Sequence, residues 1–284
     1  GRRRRRAGRA KRMSDPFLAA KARALSQRAG SVPPATGALP ADGAQPPAPG
    51  IGTLRERSLH AVLKYWADPE ESRHEVALPC RLVADIYDGE RVTEIQTRNF
   101  SKLRPKLARL LPSYRVTILY PIAQIKRLIW VDPESGELSP PRRSPKTGSA
   151  WDAFAELYYI RDYLKAAGEG EADLAVRLVY LELEEYRLLN GWSRDRKKGS
   201  CRIERIPAAL CGEQTLRCPA DYAALLPPGL PEAFTVADLA RELRLTKKRA
   251  GQAVNVLYTI GAIIREGKAK NAFLYRNPFF TRTE

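Results

Sequence analysis

Two short strands closed on an Asp-Gly turn constrain this chain most. Between Arg81 and Thr97 lie Asp85, the turn pair Asp88-Gly89, and then Glu94-Ile95-Gln96. An Asp-Gly pair between alternating segments predicts a β-hairpin. Side chains alternate along a strand, so Val83, Asp85 and Tyr87 share a face, as do Val92, Glu94 and Gln96. A two-residue loop sets Asp85 opposite Val92, and a four-residue loop sets it opposite Glu94. Either register holds Asp85, Glu94 and Gln96 on one side; a three-residue loop would break the cluster. Leu82, Ala84, Ile86 and Ile95 give the other face a buried character.

Two carboxylates held that close repel each other, and a divalent cation relieves the repulsion. Mg²⁺ or Mn²⁺ needs only one or two carboxylates besides water and phosphate oxygens. Such an ion polarises a phosphodiester and helps generate hydroxide. Asp85 and Glu94 are the expected metal ligands. The alternative is two ordinary strand carboxylates near a surface.

On these residues the stretch resembles the PD-(D/E)XK nuclease superfamily, which includes restriction endonucleases and archaeal Holliday-junction resolvases. Asp85 matches its first acid and Glu94 its second. Ala84 stands where Pro is common, and Gln96 where Lys is usual. Gln can orient water or a phosphate oxygen but cannot neutralise developing charge. The resemblance covers roughly residues 53–131. It implies an α/β fold, a mixed sheet flanked by helices, and catalytic residues Asp85, Glu94 and Gln96. It also implies a Glu on the first helix, for which Glu56 is the match; a solvated charge beside Arg55 and Arg57 is the other reading. A homodimer is an assembly common in restriction-like enzymes.

The flanking pattern agrees with that core. Leu54 to Trp66 predicts an amphipathic helix through Leu59, Val62, Leu63 and Trp66, with His60 in a structural role. His74 to Pro79 predicts a strand. A helix to about Leu111 follows, capped by Asn99 or Ser101, with Leu103, Leu107 and Leu110 inward. Lys102, Arg104, Lys106 and Arg109 face out, and Pro105 suits only a first turn. Arg115–Tyr120 and Ile125–Val131 predict two further strands.

The second informative region is C-terminal. Thr235 and Asp238 form a capping-box pattern, and Thr246 caps a second helix through Ile260 that Gly261 stops. Ala262–Arg265 and Ala272–Tyr275 predict a hairpin around a turn at 267–271. This order resembles a winged helix-turn-helix domain. The resemblance places Lys247, Lys248, Arg249 and Gln252 in a DNA groove, with Lys268, Lys270 and Asn271 on the wing. Residues 233–277 hold nine Lys or Arg against three Asp or Glu, a net +6 that favours a polyanion. The alternative is a protein-interaction or scaffold module. A nuclease-like core joined to such a domain also resembles an uncharacterised bacterial family.

The chain of 284 residues carries +17. Residues 1–52 hold eleven Lys or Arg and two Asp, net +9. Met13 is a candidate initiator, which would make Arg2–Arg6 a gene-call extension. Six prolines and four glycines over Ser31–Gly52 predict a disordered segment. Arg142, Arg143 and Lys146 either track a phosphate backbone or form a solvated loop. Trp151–Leu164 predicts one amphipathic helix and Leu174–Glu182 a strand. Trp192–Arg205 reads as basic and irregular, its Arg194, Arg196, Lys197 and Lys198 candidate phosphate contacts. Cys80, Cys201, Cys211 and Cys218 fit no zinc or disulfide spacing, which predicts reduced thiols in a cytoplasmic protein. No apolar run reaches the roughly 18 residues of a membrane span, and no signal peptide is visible.

The expected organisation is a disordered segment at 1–52, a nuclease-like domain at 53–190 and a connector at 191–231. A winged-helix domain at 232–277 and a tail at 278–284 complete it. The expected function is metal-dependent DNA cleavage. The competing expectation is a non-catalytic DNA-binding regulator on a decayed nuclease fold, and a protein-binding adaptor is the third.

Overall fold

The computed structural model describes residues 16–29, 57–190 and 199–279. Glu56 and the Arg194–Lys198 stretch lie outside them.

The first described element is helix α1 (Pro16–Ala29), where no structure is expected. Phe17, Ala20 and Ala24 stand at i, i+3 and i+7 and are buried. That stripe packs on α2 (Arg57–Ala67), with Phe17 edge-on to Trp66 at 6.2 Å. The basic residues around the stripe mask it in a composition-based reading.

Strands β1 (His74–Leu78), β2 (Leu82–Tyr87) and β3 (Arg91–Ile95) form an antiparallel meander. Helix α3 (Phe100–Leu110) then crosses over, and β4 (Arg115–Val131) runs parallel to β3. Glu156 accepts from Phe100 N at 3.0 Å and so caps α3, while Asn99 sits at φ 61° with no side-chain cap. Pro105 lies inside this helix, not in its first turn.

β4 is one strand where two are expected. Pro121 falls beyond the end of β3, which pairs with β4 only as far as Leu119. A missing N–H is tolerated where that edge has no ladder partner. Farther along, β5 (Arg142–Arg143) takes the same edge at Arg127 and Leu128. The residues 151–164 form a broken run: a 3-10 turn, α4 (Phe154–Leu157), a second 3-10 turn and the start of α5 (Arg161–Gly168). Trp151, Phe154, Leu157 and Leu164 are buried as expected, and Tyr158 is partly so.

Strand β6 (Leu174–Leu188) lies parallel to β4 and antiparallel to β7 (Cys201–Leu216). The sheet order is β1-β2-β3-β4-β6-β7, with β5 on β4. β7 occupies what reads as irregular chain and connector, so the sheet runs past the boundary expected at residue 190. This is a mixed sheet of seven strands flanked by helices. One face packs under α3, α4 and α5 through Phe100, Leu107, Ile118, Phe154 and Leu178. The other packs under α1 and α2 through Leu59, Leu63, Leu119, Val179 and Leu181.

After α6 (Pro219–Ala223) come β8 (Ala233–Phe234), α7 (Val236–Glu242) and α8 (Lys247–Thr259). The hairpin β9 (Ile264–Ala269) and β10 (Ala272–Arg276) follows, and β10 lies between β8 and β9. Thr235 and Asp238 form the expected capping box, Thr246 caps α8, and Gly261 ends it at φ +77°. The hairpin turn is tighter than expected and sits at Lys270-Asn271. Phe234, Leu239, Val254 and Leu257 join the same buried cluster as the sheet residues Val116 and Leu178. The C-terminal helices and hairpin therefore share the main core. Among the described residues no helix is long and apolar enough to cross a membrane.

Candidate functional site

The β2–β3 register pairs Tyr87 with Val92 and Ile86 with Thr93, which leaves a four-residue loop. Continuing it sets Asp85 opposite Glu94. There the strands exchange side-chain bonds. Ile95 N donates to Asp85 Oδ2 at 2.8 Å, and Asp85 N donates to Glu94 Oε1 at 3.4 Å. Ala84 joins the buried cluster on the α3 side, and Ile86 the one on the α2 side. The two are buried, as expected, but in different clusters and not together.

The two carboxylates sit in different surroundings. Glu94 is buried, its side chain 4% exposed, whereas Asp85 is 24% exposed. Burial and then the neighbouring Asp85 charge push Glu94 up to about 7, against the pull of Lys106. Asp85 is held below the usual carboxylate range. Its burial opposes that shift, but His60 and the Ile95 N–H outweigh it.

Helices supply the residues that sequence spacing did not single out. His60 Nε2 of α2 lies 3.1 Å from Asp85 Oδ2. Lys64, one turn on and nearly buried, donates to Glu75 Oε1 of β1 at 2.7 Å. Lys106 Nζ of α3 reaches Glu94 Oε2 at 2.5 Å. Lys106 was expected to face solvent. It lies three residues after Leu103 and four before Leu110, at the flank of the apolar stripe, and from there a long side chain curls toward the sheet. His60 borders its own stripe, next to Leu59, in the same way. That flank position is the signal that could have found both.

Gln96 is not brought into the cluster by its side chain. It follows the last residue of β3, and its amide donates to Arg98 O at 2.5 Å. The cation beside the carboxylates is Lys106, from α3.

Among the described residues no three His, Cys, Asp or Glu side chains are arranged to hold a metal. The donor set that exists is the pair Asp85 and Glu94, all-oxygen and partly uncompensated in charge. It fits a hard cation that keeps several of its own waters. A cleft of about 580 Å³ opens elsewhere, beside Tyr114, Arg115, Asp173 and Arg217, and none of its lining residues belongs to this cluster.

The expected nucleic-acid contacts divide. Lys247, Lys248, Lys268, Lys270 and Asn271 are exposed, as are Arg142, Arg143 and Lys146. Gln252 is half-buried. Arg249 is engaged within the chain: its guanidinium donates to Asp152 Oδ1 at 2.6 Å, and to Trp151 O at 3.4 Å. This ion pair ties α8 to the turn before α4, with both side chains part-exposed. The four cysteines are free thiols.

A family model described as "Domain of unknown function (DUF8091)" matches residues 57–217, which is α2 through β7 and includes all six residues of the charge cluster. An uncharacterised protein of Treponema pallidum (strain Nichols) is 28% identical over 219 residues, covering 77% of this chain and 82% of that protein. No solved structure matches.

Proposed function

The chain belongs to the DUF8091 family, and for it we propose a metal-dependent nuclease acting on DNA. The observation that carries the reading is the pair Asp85 and Glu94, side by side on adjacent strands, with the Lys106 ammonium on Glu94. The strand and helix order around them supports a restriction-endonuclease-like core, an antiparallel meander followed by a helical crossover to a parallel strand.

In this reading Asp85 and Glu94 hold a Mg²⁺ or Mn²⁺ ion. When bound, the ion supplies Lewis-acid polarisation of the phosphodiester and an activated water. His60 orients Asp85 through the contact to Oδ2 and is a positioning residue. Lys106 neutralises negative charge beside the scissile phosphate, the role that Gln96 cannot fill. Lys64 keeps Glu75 engaged, so that a third carboxylate does not add to the repulsion. The C-terminal helix pair and hairpin act as a winged-helix unit holding duplex through Lys247, Lys248, Lys268 and Lys270. Arg142, Arg143 and Lys146 add phosphate contacts on β5 and the loop after it. A homodimer is the assembly implied by the resemblance.

The test is cleavage of supercoiled and branched DNA with Mg²⁺ or Mn²⁺. Asp85→Ala and Glu94→Ala each abolish cutting and spare binding; cutting that survives both sinks the assignment. One observation favours the second reading, a non-catalytic DNA-binding regulator. His60 and Lys106 already pair with the two carboxylates without a metal. DNA binding with no cutting, and no Mn²⁺ binding dependent on Asp85, decides for that reading.

A further inference from the structure

The face of α8 and the hairpin that stays open carries an aromatic-cation ladder. Tyr258 and Phe273 are 41% and 37% exposed. The Arg265 guanidinium lies 3.8 Å from the centre of the Phe273 ring and 4.8 Å from that of Tyr258. Lys268 Nζ lies 4.9 Å from the Phe273 ring. The strand register explains the grouping. Phe273 pairs with Lys268 and Tyr275 with Arg265, so all four side chains share one face of the hairpin, the face toward Tyr258. The bulge at Leu274/Tyr275 leaves Glu266 outside this pairing, and its carboxylate is engaged by Arg276 at 2.7 Å. What remains on the surface is cationic and aromatic.

We infer that this face binds single-stranded nucleic acid, with an unpaired base stacking on Phe273 or Tyr258. The planar Arg265 cation stands where a planar base would stack. A base that displaces it frees Arg265 for a phosphate, and Lys268 and Lys270 stand ready for the next ones. Base stacking on aromatic side chains together with a cationic path is the general chemistry of single-strand binding. The inference rests on the nucleic-acid part of the reading above and is independent of metal or cleavage.

The experiment measures binding of labelled dT12, U12 and a 12-base-pair duplex to the full chain by fluorescence anisotropy. Phe273→Leu keeps bulk and removes the aromatic face; Tyr258→Leu does the same on α8. The expected result is single-strand affinity lowered about tenfold by Phe273→Leu, with duplex affinity within about twofold and an unchanged thermal melt. Preference for dT12 or U12 assigns the strand to DNA or RNA. Single-strand affinity unchanged in both folded variants overturns the inference, as does binding of duplex alone; the duplex-binding reading survives either. Binding of none of the three probes overturns both.

Discussion

The carboxylate hairpin and the C-terminal helix pair were equally legible as local structure, yet they differ in what tertiary packing did with their functional side chains. At the hairpin, packing added to the local cluster: helices α2 and α3 brought His60 and Lys106 onto Asp85 and Glu94. At the C-terminus, packing subtracted: Asp152 took Arg249, and the main core took the apolar face of α8. The difference is one of distance along the chain. Asp85 and Glu94 are nine residues apart, so a single local turn joins their strands. The accessible face of α8 depends on residues 97 positions away.

The sharpest way to break this comparison is to ask whether the C-terminal unit folds separately. Phe234 is 1% exposed in the shared cluster. Phe234→Ala is expected to cost about 3–5 kcal/mol and to lower one cooperative melting transition; two resolved transitions would show an independent domain. On the other side of the comparison, Lys106→Ala is expected to lower the cleavage rate by roughly 10²–10³-fold, the typical loss for one electrostatic stabiliser. Single-turnover kinetics check this, and an unchanged rate would show that Lys106 does not act on the phosphate.

A smaller effect concerns pH. The carboxyl of Glu94 is raised from 4.5 to about 7 in the fold. Its contribution to stability is therefore fully present below the unfolded value of 4.5 and is lost as pH rises through about 7. Glu94→Gln should flatten that decline and raise Tm above pH 7 by about 3 °C, the order expected for 1 kcal/mol in a chain of this size. A Tm difference that does not grow with pH would show that the carboxylate is not strained. Mn²⁺ affinity of the parent chain should rise over the same interval, because the ion needs the deprotonated form. The smallest effect separates neighbours on α8. Lys248→Ala should reduce the salt slope of duplex binding by about one, and Arg249→Ala should leave the slope unchanged while lowering Tm. Equal slopes for the two variants would mean that Arg249 leaves Asp152 to meet DNA.

Signals confined to a few residues were the readable ones. The Asp-Gly turn set the hairpin, Thr235 and Thr246 set the starts of α7 and α8, and Leu103, Leu107 and Leu110 set the buried side of α3. Interrupted or diluted signals were not. Pro121 split one long strand into two expected ones, and basic residues hid the Phe17, Ala20 and Ala24 stripe of α1. The basic composition before Cys201 obscured β7, whose pairing to β6 rests on contacts far along the chain.

By itself the sequence determined the two carboxylates, their shared face and the basic character of the C-terminal unit. These follow from alternation, turn chemistry and charge, all short-range properties of the chain. Only the tertiary structure decided which cations reach those carboxylates, that Gln96 turns to Arg98, and which face of α8 stays open. A long Lys or Arg side chain at the edge of an apolar stripe has two homes, solvent or a buried partner. Only the folded neighbours, here Glu94 for Lys106 and Asp152 for Arg249, select between them.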